Sequence, residues 1–308
     1  MGKIDSHLLI IGGTGFIGKH LVLAAKKKGY IVTSASLNYP KKENIIDGVK
    51  YYEVDLCNIE TAKKFLTKPY DYVVNLGGYI DHSDFKNGGK KVIDAHYTGV
   101  CEIVTKLKKD NLKKFIQIGS SDEYGEAKAP QSEDLRELPI TPYAFAKIAS
   151  TNFLQMLYKT EDFPVTILRL FLTYGPAQDT NRFLPQVITA CIKNKSFPTT
   201  LGSQIRDFCY IDDTINAIMK MLVAKNTNGE IFNLGSGIPR TIKSVINIIQ
   251  KQLSKGKPLY GALNLRKNEN MNLYSDNQKI LKYIDWKPEI DIEEGIKRTI
   301  KFYKEINE

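Results

Sequence analysis

The chain has 308 residues, 42% of them apolar and 25% charged, the balance of a soluble globular protein rather than a disordered or fibrous one. Its net charge of +10 comes mainly from lysines spread over predicted helix ends, among them Lys26, Lys27, Lys28, Lys63, Lys64, Lys113 and Lys114. Such scattered lysines read as solvated faces that help attract an anionic small substrate, not as a nucleic-acid surface, and no apolar run reaches the ~18 residues of a membrane span.

In chain order, short apolar runs alternate with amphipathic ones. Strands are predicted over 8–11, 31–35, 49–54, 72–76, 115–118 and 165–170, with helices over 15–28, 59–67, 89–108 and 141–160 between them. This βαβα order predicts an α/β protein with a doubly wound parallel sheet of the Rossmann type. After about Leu172 the proline and glycine content rises and only the helices over 213–224 and 241–253 stand out. The expected organisation is a dinucleotide domain over 1–172 and a smaller substrate-binding lobe over 173–308, with a segment near 207–232 returning to the sheet. Cys57, Cys101, Cys191 and Cys209 form no CxxC pair, so they read as small buried apolar residues in a reducing cytoplasm, and no metal site is expected. No secretory leader is expected, because 7–11 runs straight into the glycine loop with no small-residue cleavage site before it.

The run Gly12-Gly13-Thr14-Gly15-Phe16-Ile17-Gly18 follows the first strand and opens the first helix. In that setting Gly12 permits a tight turn, Gly15 lets backbone N–H groups approach a pyrophosphate, and Gly18 lets helix and strand close together. The helix N-terminus adds partial positive charge for the phosphates. Thr14, Phe16 and Ile17 belong to the same cradle. An acidic residue usually ends the second strand to hold the ribose 2′-OH of NAD, and here Ser36 stands in its place. Ser36 and Asn38 suit hydrogen bonds to a 2′-phosphate and Lys41 or Lys42 its neutralisation, so the expectation is NADP(H), with NAD(H) as the alternative. Asp55 and Leu56 after the third strand fit the adenine, and Gly77 and Gly78 after the fourth let backbone approach the cofactor.

Tyr143 and Lys147 stand four apart and share one face of a predicted helix. A neighbouring ammonium favours the phenolate over the phenol, whose ordinary value is near ~10, so the pair suits proton exchange near neutrality. Thr141 is the expected N-cap and Pro142 the first helical residue. About twenty residues upstream a strand ends in Gly119-Ser120-Ser121-Asp122-Glu123-Tyr124-Gly125, where a serine hydroxyl can bond a substrate oxygen beside Tyr143.

On these residues the chain resembles the extended short-chain dehydrogenase/reductases of the NAD-dependent epimerase/dehydratase type, which act on nucleotide sugars. The likeness runs from the glycine loop through 55–56, 119–125, 139–147, 168–175, 206–212 and 233–237 to Trp286-Lys287-Pro288. It implies that Tyr143 is the acid/base, that Lys147 also binds the nicotinamide ribose, and that Ser120, with Ser121 as fallback, orients the substrate oxygen. It implies a nucleotide-diphosphate sugar as partner, held by Ser121, Asp122, Asn181, Arg182, Arg206, Arg266 and Glu269; arginine grips phosphate oxygens in a bidentate way. For Arg206 and Arg266 the alternative is a structural ion pair, with Asp207 and Glu269 respectively. A homodimer through the helices over 89–108 and 141–160 is expected by the same analogy.

For the reaction, the resemblance separates three outcomes. The 4,6-dehydratases carry a Thr-Asp-Glu-type run, against Ser120-Ser121-Asp122 here, and alternation along an extended turn would point Glu123 away. The turn is similar to that of NADPH-dependent reductases of nucleotide 4-keto-6-deoxy sugars. Together with Ser36 this makes reduction at C4 the leading expectation, with an NAD-dependent 4-epimerase or 4,6-dehydratase as the alternative and a non-catalytic dinucleotide-binding protein as a second. His96 reads as structural, and His82 as lining the mouth of the site.

Overall fold

A computed structural model describes residues 5–266 and 269–306. The elements in chain order are β1 (His7–Ile11), α1 (Phe16–Lys27), β2 (Ile31–Ser36), β3 (Lys50–Glu53), α2 (Lys63–Leu66), β4 (Tyr72–Asn75), α3 (Gly89–Ile93), α4 (Gly99–Lys106), β5 (Lys114–Ser120), α5 (Pro142–Glu161) and β6 (Val165–Leu170). They continue as β7 (Leu172–Tyr174), α6 (Phe183–Ile192), β8 (Ser196–Thr199), β9 (Ile205–Tyr210), α7 (Ile211–Val223), β10 (Ile231–Leu234), β11 (Pro239–Thr241), α8 (Ile242–Leu253), β12 (Lys257–Tyr260), β13 (Asn272–Leu273), α9 (Gln278–Tyr283) and α10 (Ile292–Glu305).

Seven strands form a parallel sheet in the order β10-β6-β5-β4-β1-β2-β3. Alternation of side chains along each strand divides the core into two layers. Leu8, Ile10, Val74, Ile116, Leu168 and Phe232 face the layer that holds Leu21 and Val22 of α1 and Ile218 of α7. Leu9, Ile11, Val73, Phe115, Val165 and Ile167 face the layer that holds Val100 and Ile103 of α4 and Leu154 of α5. Connections reverse direction between β1 and β4, so a crevice opens at their carboxyl ends, where ligands of such sheets bind.

The second half is more ordered than its composition suggests. Strand β9 pairs with β7, β11 and β13 in a small sheet, and β12 pairs with β8. Strand β10 returns to extend the large sheet beside β6. Trp286 is buried, and its indole N–H donates to the Asp213 carbonyl at 3.0 Å.

The predicted helix over 89–108 is interrupted. A π-turn, Asp94–Thr98, lies between α3 and α4. There the His96 carbonyl accepts the Ser150 hydroxyl of α5 at 2.7 Å, a tertiary bond that competes with the regular helical ladder. The predicted helix over 59–67 begins as a 3₁₀ turn, Ile59–Ala62, before α2.

Candidate active site

The glycine loop lies between β1 and α1. Gly12 has φ +82°, and a Cβ there would come within 2.9 Å of the Leu76 carbonyl; one on Gly18 would come within 2.1 Å of the Gly12 carbonyl oxygen. A Cβ on Gly15 meets only the Gly12 carbonyl oxygen, at 3.3 Å, so the side on which a pyrophosphate would approach is open. Gly15 is also the N-cap of the twelve-residue α1 and offers no side-chain cap, leaving the first-turn N–H groups for an anion. The residues present fit a dinucleotide.

Ser36 ends β2 and is buried, and its hydroxyl accepts the Thr14 N–H at 3.1 Å. The Thr14 hydroxyl donates to the Asn38 carbonyl at 3.3 Å. Ser36 thus ties the second strand to the glycine loop. Asn38 and Lys41 are exposed beyond it. Asp55 is exposed and accepts the Cys57 N–H at 2.9 Å. The Leu56 side chain packs beside Gly77 and Gly99. Gly77 donates its N–H to the Asn75 side chain at 3.0 Å, and Asn75 is fixed in turn by Gln117 at 2.9 Å.

Thr141 and Pro142 start α5 as the sequence predicts: the Thr141 hydroxyl accepts the Ala144 N–H at 3.1 Å, and Pro142 is the first helical residue. The helix lays Tyr143 and Lys147 under the carboxyl end of β5. Tyr143 is buried and hydrogen-bonded to the Ser120 side chain. The Lys147 ammonium donates to the Ile118 carbonyl at 2.8 Å and lies 5.8 Å from the centre of the Tyr143 ring. Their electrostatics differ from the expectation. Burial, then the Asp122 charge, pushes the Tyr143 phenol above its ordinary value, and the Ser120 hydrogen bond and the Arg182 charge oppose this. Burial brings the Lys147 ammonium down to about 8. Lys147 is therefore not what sets the phenol here, because its nearest polar partner is a backbone carbonyl.

The turn after β5 is a 3₁₀ turn, Ser121–Tyr124, closed by a capping box: the Ser120 hydroxyl accepts the Asp122 N–H at 3.1 Å and the Glu123 carboxylate accepts the Ser120 N–H at 2.8 Å. Glu123 does point away from the site, for a reason other than strand alternation. It is fully buried, bound at 2.9 Å to both Arg169 and Thr151. Arg169 in turn donates to Glu137 at 2.6 Å. Ser121 is buried at the same turn. Asp122 stays at the mouth, where burial holds its carboxyl above the usual carboxylate range against the opposing charges of His82, Arg206 and Arg266.

Two histidines flank Tyr143. The His82 ring is edge-on to the phenol at 5.7 Å, and its Nε2 is 3.7 Å from the Asp122 carboxylate. The buried His96 ring is edge-on at 5.0 Å, fills the space a Cβ at Gly78 would take, and donates from Nε2 to the Tyr79 carbonyl at 2.8 Å. Burial and the Lys147 charge bring His96 down to about 3, so the ring is neutral. Sequence reading assigned His96 only a structural part. Its junction between α5 and the loop after β4 depends on the π-turn, which leaves no mark in the hydrophobic periodicity.

The expected substrate residues come from four segments. Arg182 is the N-cap of α6, and its charge reaches Tyr143; Asn181 beside it is exposed. Arg206 on β9 and the exposed Arg266 both act on Asp122. The ion pairs are arranged otherwise than expected. Arg206 pairs with Glu269. Asp207 instead points into the core, where it accepts hydrogen bonds from Ser236, Gly237 and Ser275. Lys267 and Asn268, between the expected substrate residues Arg266 and Glu269, lie outside the described residues. Among the described residues there is no cluster of metal-ligating side chains and no helix long and apolar enough to cross a membrane.

Residues 8–235 match the NAD dependent epimerase/dehydratase family. The chain is 28% identical to the UDP-glucuronate 4-epimerase of Thermodesulfobacterium geofontis, over 97% of this chain and 96% of that one. It is 26% identical to the human dTDP-D-glucose 4,6-dehydratase, over 99% and 91% respectively. The crystal structure of UDP-glucuronic acid 4-epimerase from Bacillus cereus in complex with UDP-glucuronic acid and NAD is similar at a TM-score of 0.88 and 26% identity, covering 97% of this chain and 99% of that one. These relatives weigh toward the epimerase and dehydratase alternatives rather than the 4-keto reductase, and toward NAD rather than NADP(H). The glycine cradle, the Ser120–Tyr143–Lys147 constellation and the match over 8–235 together identify the chain as a member of the NAD dependent epimerase/dehydratase family.

Proposed function

We propose that this protein is an NAD-dependent nucleotide-sugar 4-epimerase. The observation that carries the choice is the fate of the turn's acids: Glu123 is locked to Arg169 and Thr151, leaving Asp122 alone at the mouth. Elimination from C5 and C6 calls for two positioned carboxyl groups, whereas epimerisation at C4 needs only Ser120, Tyr143 and Lys147. The 4-epimerases among the relatives support the same reading.

A bound nicotinamide would accept the hydride from C4 of the sugar and return it to the opposite face. Gly12, Thr14, Gly15, Phe16, Ile17 and Gly18 would hold its pyrophosphate, Ser36 and Asp55 its adenosine end, and Gly77, Gly78 and Lys147 its nicotinamide end. Ser120 hydrogen-bonds the C4 oxygen. Tyr143 takes the proton from that oxygen as the carbonyl forms and gives it back when the alcohol is restored. The Ser120 hydrogen bond and the Arg182 charge oppose the rise that burial and the Asp122 charge impose on this phenol. Arg206 and Arg266 bind the diphosphate.

The reductase reading retains one support, the hydroxyl of Ser36 where an acid would exclude a 2′-phosphate. Incubation of the protein and NAD⁺ with UDP- and dTDP-hexoses, followed by NMR, separates the readings. Interconversion of C4 epimers without net change in cofactor is expected. Release of a 4-keto-6-deoxy sugar, or stoichiometric oxidation of NADPH on such a sugar, would replace the assignment. We also propose a homodimer through α5, whose Phe145 and Met156 stand 51% and 44% exposed on one side. Sedimentation of a monomer would overturn that.

A further inference from the structure

Asp122 occupies a particular place in the site. It precedes the buried Glu123 in the turn after β5, and its own side chain remains 30% exposed. On one side its charge acts on Tyr143, which marks C4 of the sugar. On the other it interacts with Arg206 and Arg266, which mark the diphosphate, and with Glu269. A sugar held by those arginines and reacting at Tyr143 would lie close to this carboxylate. His82 stands beside it, with Nε2 3.7 Å from Oδ2 and its ring edge-on to Tyr143 at 5.7 Å.

In its ionised form, which the neighbouring His82, Arg206 and Arg266 charges favour against burial, a carboxyl is an acceptor only. In a partly buried cleft it welcomes hydroxyl or amine donors and repels a second carboxylate, because neither charge is fully screened by water. We propose that Asp122, positioned by His82, is the specificity-determining residue for the sugar, admitting hexoses with neutral or amino substituents and rejecting uronates. The inference rests on the reading of the site as a nucleotide-sugar 4-epimerase, and it separates this chain from the UDP-glucuronate 4-epimerases it resembles. Arg182 lies on the Tyr143 side of the cleft and is the group through which a uronate would bind if the proposal is wrong.

The test is calorimetric titration of the NAD⁺-loaded protein with UDP, UDP-glucose and UDP-glucuronate, and with dTDP, dTDP-glucose and dTDP-glucuronate. On whichever nucleotide binds, the neutral sugar is expected to bind at least ten-fold more tightly than the uronate. D122N is expected to bring the ratio toward one by strengthening uronate binding, and H82Q to shift it in the same direction by a smaller factor. Equal or tighter binding of the uronate to the wild type overturns the proposal. A preference left unchanged in D122N overturns its assignment to Asp122. Should D122N not fold, the wild-type ratio decides alone. If UDP and dTDP themselves fail to bind while NAD⁺ binds, the nucleotide-sugar reading falls and the inference with it; binding of both sugars without preference sinks the inference alone.

Discussion

Tyr143 is a buried phenol beside Ser120 and Asp122. Removing its hydroxyl in Tyr143→Phe should lower kcat by at least ~100-fold, the scale of a lost general acid/base, while NAD⁺ still binds in a fluorescence titration. Near-normal turnover would remove Tyr143 from the mechanism. His96 gives a second expectation. Its ring titrates near 6.5 when unfolded and near 3 in the fold, so between those values the unfolded chain binds a proton that the folded one does not. Acidification from pH 6.5 to 4 should therefore destabilise the wild type by ~3 kcal/mol more than H96Q. Equal acid sensitivity of the two in urea unfolding would refute the buried neutral ring. Lys147 behaves in the opposite pH range. It titrates at about 8 folded against 10.5 unfolded, so the wild type should gain stability relative to K147M as pH rises from 8 to 10. These groups show why pattern alone misjudged the electrostatics: the i, i+4 spacing brings Tyr143 and Lys147 together, but burial, not their mutual charge, dominates where each titrates.

The element that decides the chemistry is the turn after β5. Its capping box joins Ser120, which faces the reaction, to Glu123, which faces the core. Glu123→Ala would leave Arg169 buried with Glu137 as its remaining carboxylate and release the Ser120 N–H. A loss of roughly 3 kcal/mol is expected in chemical denaturation, the scale of breaking a buried ion pair, along with a drop in kcat. A change below about 0.5 kcal/mol, the range of ordinary surface substitutions, would show that the network does not hold the turn. The sequence displayed the turn and its serine plainly. It could not display Arg169 on the neighbouring strand β6, because strand pairing brings together residues 46 positions apart.

At the scale of the molecule, the substrate arginines reach the dinucleotide side through packing. The loop between β7 and α6, which leads to Asn181 and Arg182, is fastened to α1: Lys19 donates to the Ala177 carbonyl at 2.6 Å and His20 to the Pro176 carbonyl at 3.1 Å. The helix that presents the phosphate cradle thus also anchors the entry to the sugar site. Lys19→Met, which keeps the apolar stem and removes the bond, should raise KM for the nucleotide sugar several-fold with little effect on NAD⁺ affinity. A change confined to NAD⁺ would contradict this arrangement.

Much of the fold follows from local rules. Alternating apolar runs and 3.6-residue periodicity specify six of the seven sheet strands and the helices around the catalytic pair, and Gly12 and Gly18 specify the cradle because backbone clearance there admits no side chain. The seventh strand β10, the small sheet around β9, the π-turn at His96 and the exchange of ion-pair partners at Arg206 are products of contacts far apart in sequence, and no local pattern encodes them. The residue types of the site were present in the sequence. Which carboxylate faces the sugar, and which is consumed holding the turn, was decided by the tertiary structure, because an acid's role depends on whether a buried cation lies within reach of it.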